Sequence, residues 1–214
     1  MVTLWFVVLA LWMSVVIYEA FSLPPIEGLA AHPVVYFHPP VAMVTFVIFL
    51  VTTFFGVRYL RLKSPDDDIK SWKAAELGLL FATLATVTGA FWSRVNWGSY
   101  WSWDPKQTGI FVVLLIYTAY GALRSSIPDP DRRGRLCAVY AMIGFISALF
   151  FMFVLPRVLP SLHPNDALIG RGSARPVRLL FLGSAAGFLG IFFTMFSLSV
   201  RLEQIKTQIK ELKS

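Results

Sequence analysis

Six long apolar runs, at residues 3–23, 38–60, 74–93, 108–124, 136–156 and 177–200, alternate along this chain with short polar connections. None alternates apolar and polar residues with a period of two, and all are longer than the strands of a membrane barrel. A segment crossing lipid has to satisfy its backbone groups internally, so runs of this length predict helices. The expectation is an all-α, polytopic six-helix membrane bundle. Composition agrees: of 214 residues, 57% are hydrophobic and 14% charged, more apolar surface than a soluble domain of this size can hide. The first run lacks a basic segment before it and a small-residue cleavage site after it, so it reads as an uncleaved span.

Charge sets the expected orientation. Thirteen of the 19 Lys and Arg residues fall in one set of connections, at Arg58–Lys73, Arg124–Arg135 and after Arg201. The richer side is expected to be cytoplasmic, which puts both termini inside. The net charge of +7 then follows from topology and asks for no nucleic-acid partner. Cys137 is the single cysteine, so no intrachain disulfide or CxxC site exists, and it reads as a small core residue. Residues 1–200 are read as the membrane domain and 201–214 as a tail. Leu202, Ile205, Ile209 and Leu212 recur there at helical spacing. They predict an amphipathic extension of the last helix, lying on the membrane, against a partner or as a solvated end.

The other face carries the candidate chemistry. All three histidines lie in its loops, and each precedes a proline: His32, His38 and His163. Proline disfavours helical backbone in the residue before it and favours the first turn of a following helix. The histidines therefore belong to loops or helix starts, unlike the mid-membrane pairs of b-type cytochromes. His38 and His163 start from different loops and can face each other, as the axial sites of a six-coordinate haem iron require. Taken singly, each also suits a hydrogen-bonded structural role. His32 reads as a loop residue or a transient ligand.

Between the third and fourth runs lies NWGSYWSWDPKQT, residues 96–108. If 96–103 is a short helix, Trp97, Tyr100 and Trp101 share one face, Gly98 permits close approach and Trp103 points elsewhere. If the segment is extended, Trp97, Trp101 and Trp103 share a side. Either gives an aromatic wall for a flat macrocycle, although Trp and Tyr also gather at membrane surfaces without any ligand. Arg94 and Lys106 bracket the wall and suit carboxylates such as propionates. Asp104, followed by Pro105 and by Gln107, reads as the N-cap of helix four in preference to a direct ligand contact. Arg157, Arg171, Arg175 and Arg178 add positive charge that topology does not require, suited to propionates or lipid phosphates.

WGSYWSWDPKQT resembles the W-G-x-x-W-x-W-D motif of the haem-handling proteins of cytochrome c biogenesis. VVYFHPPVAM (34–43) and PSLHP (160–164) resemble the histidine segments of that group, and six spans in a short chain are most similar to the CcmC family. The resemblance covers residues 1–200. It implies non-covalent haem b at the outer face of a bacterial inner membrane, with His38 and His163 as axial ligands. Trp97, Gly98, Tyr100, Trp101, Trp103, Asp104, Arg94 and Lys106 are implied around the porphyrin. It further implies a carrier and not an enzyme, passing haem to a CcmE-like chaperone beside a CcmD-like subunit, CcmA/CcmB-like ABC subunits and membrane lipids. No nucleophile–base pair or hydrolase metal spacing appears. The alternatives are a CcsA-type cytochrome c synthase, whose members are longer with further histidines within the membrane, and a small transporter or assembly subunit without haem.

Overall fold

A computed structural model describes residues 2–24, 26, 32–163 and 174–212, and of residues 2, 3, 32 and 211 the backbone only. Helix α1 covers Val2–Ser22, and a 3₁₀ turn at His32–Tyr36 leads into α2, His38–Leu62. Next come α3, Pro65–Trp97, α4, Pro105–Ser126, and α5, Pro130–Leu149. The α5 axis continues through a π-helical turn, Phe150–Val154, into the short α6, Leu155–Val158, and the last helix is α7, Arg175–Glu211. No strand occurs among the described residues. Among the described residues six stretches are long and apolar enough to cross a membrane: Leu4–Ser22, Pro33–Leu62, Pro65–Trp97, Pro105–Ser126, Pro130–Val158 and Arg175–Lys210.

All six expected runs become helices, and α3, α4 and α5 begin earlier than hydropathy registers. Ser64, Asp104 and Asp129 precede prolines that open α3, α4 and α5. The Asp104 and Asp129 carboxylates accept the N–H groups of Lys106 and Arg132. An even number of spans returns the chain to its starting side. One face therefore gathers the loops after α1, α3 and α6, with the histidines. The other gathers both termini and most of the basic residues. Helix α7 continues past residue 201 to Glu211 without a break, the helical extension that the spacing there predicts.

Helix α2 is the axis, packed against α3, α5 and α7, while the main contacts of α1 among the described residues are with α7 and the 3₁₀ turn. The most apolar window of α2 is 44% buried and that of α1 11%, so α1 is the helix lipid touches most. The core joins Val44, Ile48 and Phe49 of α2 to Phe81, Ala82 and Ala85 of α3 and Val113 and Tyr117 of α4. In lipid the hydrophobic effect does not drive helices together, so close packing and a few interhelical bonds must do so. Two such bonds hold α1: the Trp5 indole donates to Thr194 Oγ1 at 2.7 Å, and the Trp12 indole to the Gly183 carbonyl at 2.9 Å.

Polar contacts clamp the basic face. Arg124 of α4 donates two parallel bonds to the Asp68 carboxylate of α3, at 2.8 and 2.7 Å. Arg58 donates to the buried Asp67 at 3.3 Å, and Lys73 bridges Glu76 and Glu203 of α7 at 2.9 and 3.0 Å. Asp66–Asp68 also sit in the first turn of α3, where the helix dipole favours negative charge. The Arg124–Asp68 side chains are only 10% and 15% exposed, so removing one partner strands the other charge. Asp68→Ala is expected to destabilise the fold by about 3–5 kcal/mol, and adding Arg124→Met to restore part of that loss. Thermal unfolding in detergent measures both.

Candidate functional site

The aromatic segment is neither a helix over 96–103 nor one extended wall. Helix α3 stops at Trp97 because Gly98 turns left-handed, at φ +77°, with its N–H on the Arg94 carbonyl. Trp97, Tyr100 and Trp101 therefore do not share a helical face. The Ser93 hydroxyl donates to the Ser99 carbonyl at 2.7 Å and folds the turn back on α3. Arg94 bonds the Gly98 carbonyl and lies over the exposed Tyr100 ring at 5.7 Å. Trp103 is also left-handed, at φ +58°, a conformation costing a bulky residue about 1–3 kcal/mol. Its exposed ring meets Trp101 edge-on at 5.7 Å. The Gln107 amide oxygen accepts both the N–H and the hydroxyl of Ser102 at 3.0 Å, pinning the segment to α4.

The Trp103 kink delivers Asp104 as the expected N-cap, and its carboxylate has further partners. One oxygen accepts Lys106 N–H at 2.9 Å and His163 Nδ1 at 2.8 Å. The other accepts the Ser161 hydroxyl at 2.9 Å and Leu162 N–H at 2.6 Å. Burial pushes the carboxyl up, but the Lys106 and Leu162 N–H groups, with His163 and Ser161, hold it below its ordinary value. A carboxylate only accepts, so Nδ1 of His163 carries the proton and Nε2 keeps its lone pair. The ring stacks on buried Trp92 at 5.6 Å and meets Trp97 edge-on at 4.8 Å.

His38 reaches the same state differently. It is the first residue of α2, where the following proline directs it. Its Nδ1 lies 3.2 Å from Thr88 Oγ1, whose own proton goes to the Leu84 carbonyl at 2.7 Å. The threonine oxygen then accepts from the imidazole, and the Ala85 backbone is a further hydrogen-bond partner of the ring. Gly89 forms the slot for this ring, since a Cβ there would sit 2.7 Å from His38 Cε1.

Both histidines line one cavity of about 1010 Å³, at the upper end of the range for small-molecule sites. Trp92 and Trp101 form aromatic walls, Ala42, Ala85, Ile110, Met152 and Phe181 are apolar, and Lys106 and Arg157 bring cations. The lining residues Met43, Phe153 and Leu159 are exposed, which opens this side of the cavity. The π-helical turn brings Met152 and Phe153 into the lining. Leu155 N–H bonds the Phe150 carbonyl, five residues back, and Pro156 has no N–H to give Phe151. Gly109 of α4 makes room for the turn, since a Cβ there would lie 2.3 Å from the Phe151 oxygen.

Of the residues singled out by sequence, His38, His163, Trp101 and Lys106 line the cavity. Trp97 and Asp104 support His163 from behind, whereas Gly98, Tyr100, Trp103 and Arg94 do not line it. Arg157 lines it, Arg175 and Arg178 do not, and Arg171 lies outside the described residues. The His32 backbone opens the 3₁₀ turn, and its side chain is likewise outside them. Trp92, Thr88 and Gly89 were not foreseen, and Gln107, read as part of the Asp104 cap, accepts from Ser102 instead. Only Trp92 carried a signal, as an aromatic in the last turns of a helix that ends at the histidine face. Among the described residues no group of three or more His, Cys, Asp and Glu converges.

A family model described as Heme exporter protein C, CcmC, matches residues 1–214. The chain belongs to the CcmC family. Heme exporter protein C of Bradyrhizobium diazoefficiens is 27% identical over 182 residues, covering 84% of this chain and 69% of the relative. The protein of the same name from Paracoccus denitrificans is 26% identical over 173 residues, covering 79% and 72%. Cytochrome c biogenesis protein CcsA of Panax ginseng is 37% identical over 99 residues, but these are 45% of this chain and 30% of that one. Likeness along most of the chain is thus to CcmC, and the CcsA likeness is a shorter segment.

Burial holds the His163 imidazole below its ordinary value; the Asp104 charge and bond draw it up, and Lys106 presses it down. The neutral ring is the form the fold prefers. Its stabilising contribution is therefore present above the ordinary histidine value and lost as pH falls through the lower folded one. An NMR titration of the ligand-free protein is expected to place the His163 midpoint below 6.5. In Asp104→Asn, which removes a charge favouring imidazolium, the midpoint is expected to fall further.

Proposed function

We propose that this chain is a haem carrier of cytochrome c maturation. In this reading it holds non-covalent haem b at the outer face of a bacterial inner membrane and passes it to a CcmE-like chaperone. The observation that carries the reading is the pair of imidazoles lining one cavity, each with Nδ1 engaged by a neighbouring side chain. His38 and His163 supply the axial nitrogens, Trp92 and Trp101 face the macrocycle, and Lys106 and Arg157 receive propionates. Trp97 and Asp104 keep the His163 ring in place. Membership of the CcmC family and relatives named Heme exporter protein C support the substrate. A CcmD-like subunit and CcmA/CcmB-like ABC subunits are the partners this role calls for.

The positive-inside distribution supports the orientation, with thirteen basic residues on the side of the termini against six on the histidine side. A second reading rests on the 37% identity to CcsA over 99 residues: a synthase that attaches haem to apocytochrome through thioethers. It predicts covalent product without any chaperone.

An absorption spectrum of the purified chain from haem-replete cells tests the main reading. His38→Ala and His163→Ala are each expected to shift and weaken the Soret band, and an unchanged band in both removes the axial assignment. The double change Trp97→Ala and Trp101→Ala is expected to lower haem retained after purification several-fold, at unchanged helix content by circular dichroism. Equal retention reduces both tryptophans to membrane-surface anchors.

A further inference from the structure

The end of α7 presents an apolar stripe that stays exposed among the described residues. From residue 179 to 200 the helix carries no charge, 22 residues or about 33 Å, which matches a hydrocarbon core. Arg201 then marks its exit on the basic face, and the ten residues 202–211 carry the same straight helix about 15 Å further into water. Leu202, Ile205, Ile209 and Leu212 follow one another at steps of three, four and three. They are 59%, 52%, 47% and 87% exposed.

The other side of this segment is already occupied. Glu203 pairs with Lys73 at 3.0 Å, and the Gln204 amide donates to Asp66 at 2.9 Å, both on α3. These bonds fix the rotation of α7 and turn the stripe away from the body. They also hold the helix upright, so it does not lie in the membrane plane. Steps of three and four are the seam spacing of paired helices, and the residues bordering the seam decide what pairs. Here the borders are Arg201, Lys206 and Gln208, with no acid among them. A second copy of this chain would set Arg201 against Lys206 in parallel pairing, or Lys206 against its own counterpart in antiparallel pairing.

We propose that the α7 extension is a docking post for a partner protein helix, one with an apolar seam bordered by Asp and Glu. The inference is independent of the haem reading, since it concerns the opposite face.

The test uses the full chain in neutral phosphatidylcholine nanodiscs and two synthetic helical peptides with a Leu/Ile seam, bordered by Glu in one and by Lys in the other. Binding of the Glu peptide is expected, weakening as salt rises, and at least tenfold tighter than that of the Lys peptide. Ile205→Asp with Ile209→Asp is expected to abolish it while the thermal unfolding midpoint holds. Arg201→Glu with Lys206→Glu is expected to reverse the preference between peptides, an outcome a misfolded variant would not give. Equal binding of both peptides or no binding of either overturns the proposal. So does self-association of the chain in detergent that the Ile variants remove, or recruitment of anionic phosphatidylglycerol vesicles in place of the Glu peptide.

Discussion

The histidine face is organised by the four donors that converge on the Asp104 carboxylate. They come from Lys106 at the start of α4, from Ser161 and Leu162 in the connection after α6, and from the His163 ring. A buried carboxylate is costly unless its lone pairs are filled, and here each oxygen accepts two bonds. One side chain therefore caps a helix, closes a loop and fixes a tautomer. These tasks are coupled, because losing the loop would strip the charge of two donors beyond the imidazole. The left-handed backbone at Trp103 is the local strain accepted to aim that carboxylate inward.

The two imidazoles reach the same protonation state by different routes. His163 is oriented by an anion and sits between Trp92 and Trp97. His38 is oriented by a neutral hydroxyl whose proton is already committed to the α3 backbone, and it rests in a slot that only glycine leaves open. A carboxylate partner makes its imidazole more basic and a better donor to a metal. The two sides of the cavity are thus electronically unequal although each carries an imidazole.

Much of this was legible in the sequence, for physical reasons. Lipid permits few backbone solutions, so six apolar runs sufficed for six helices. The His–Pro pairs correctly placed His38 at a helix start, and Asp104–Pro105 announced a cap. What failed was the shape of the aromatic segment. Its tryptophans were spaced for one face, but Gly98 ended the helix after the first, and propensity gives no warning of which glycine will turn left-handed. Arg94 followed the same error, since the turn gave its guanidinium a backbone carbonyl to bind. Thr88 and Gly89 were invisible because neither carries chemistry until His38 is laid across them. The carboxylate–imidazole pair joins residues 59 positions apart, a contact no local pattern encodes.

The unequal mounting of the two histidines also bears on how a tightly held ligand leaves. Moving His38 means turning a ring wedged against Gly89 at the head of α2, the most enclosed of the spans. His163 instead sits in a connection, and its ring and the flanking loop hang from one carboxylate. Displacing that loop breaks the Ser161, Leu162 and His163 bonds together, and the Lys106 cap alone remains. In the carrier role proposed above, a rigid side and a releasable side on one cavity serve a protein that has to end every binding event it begins.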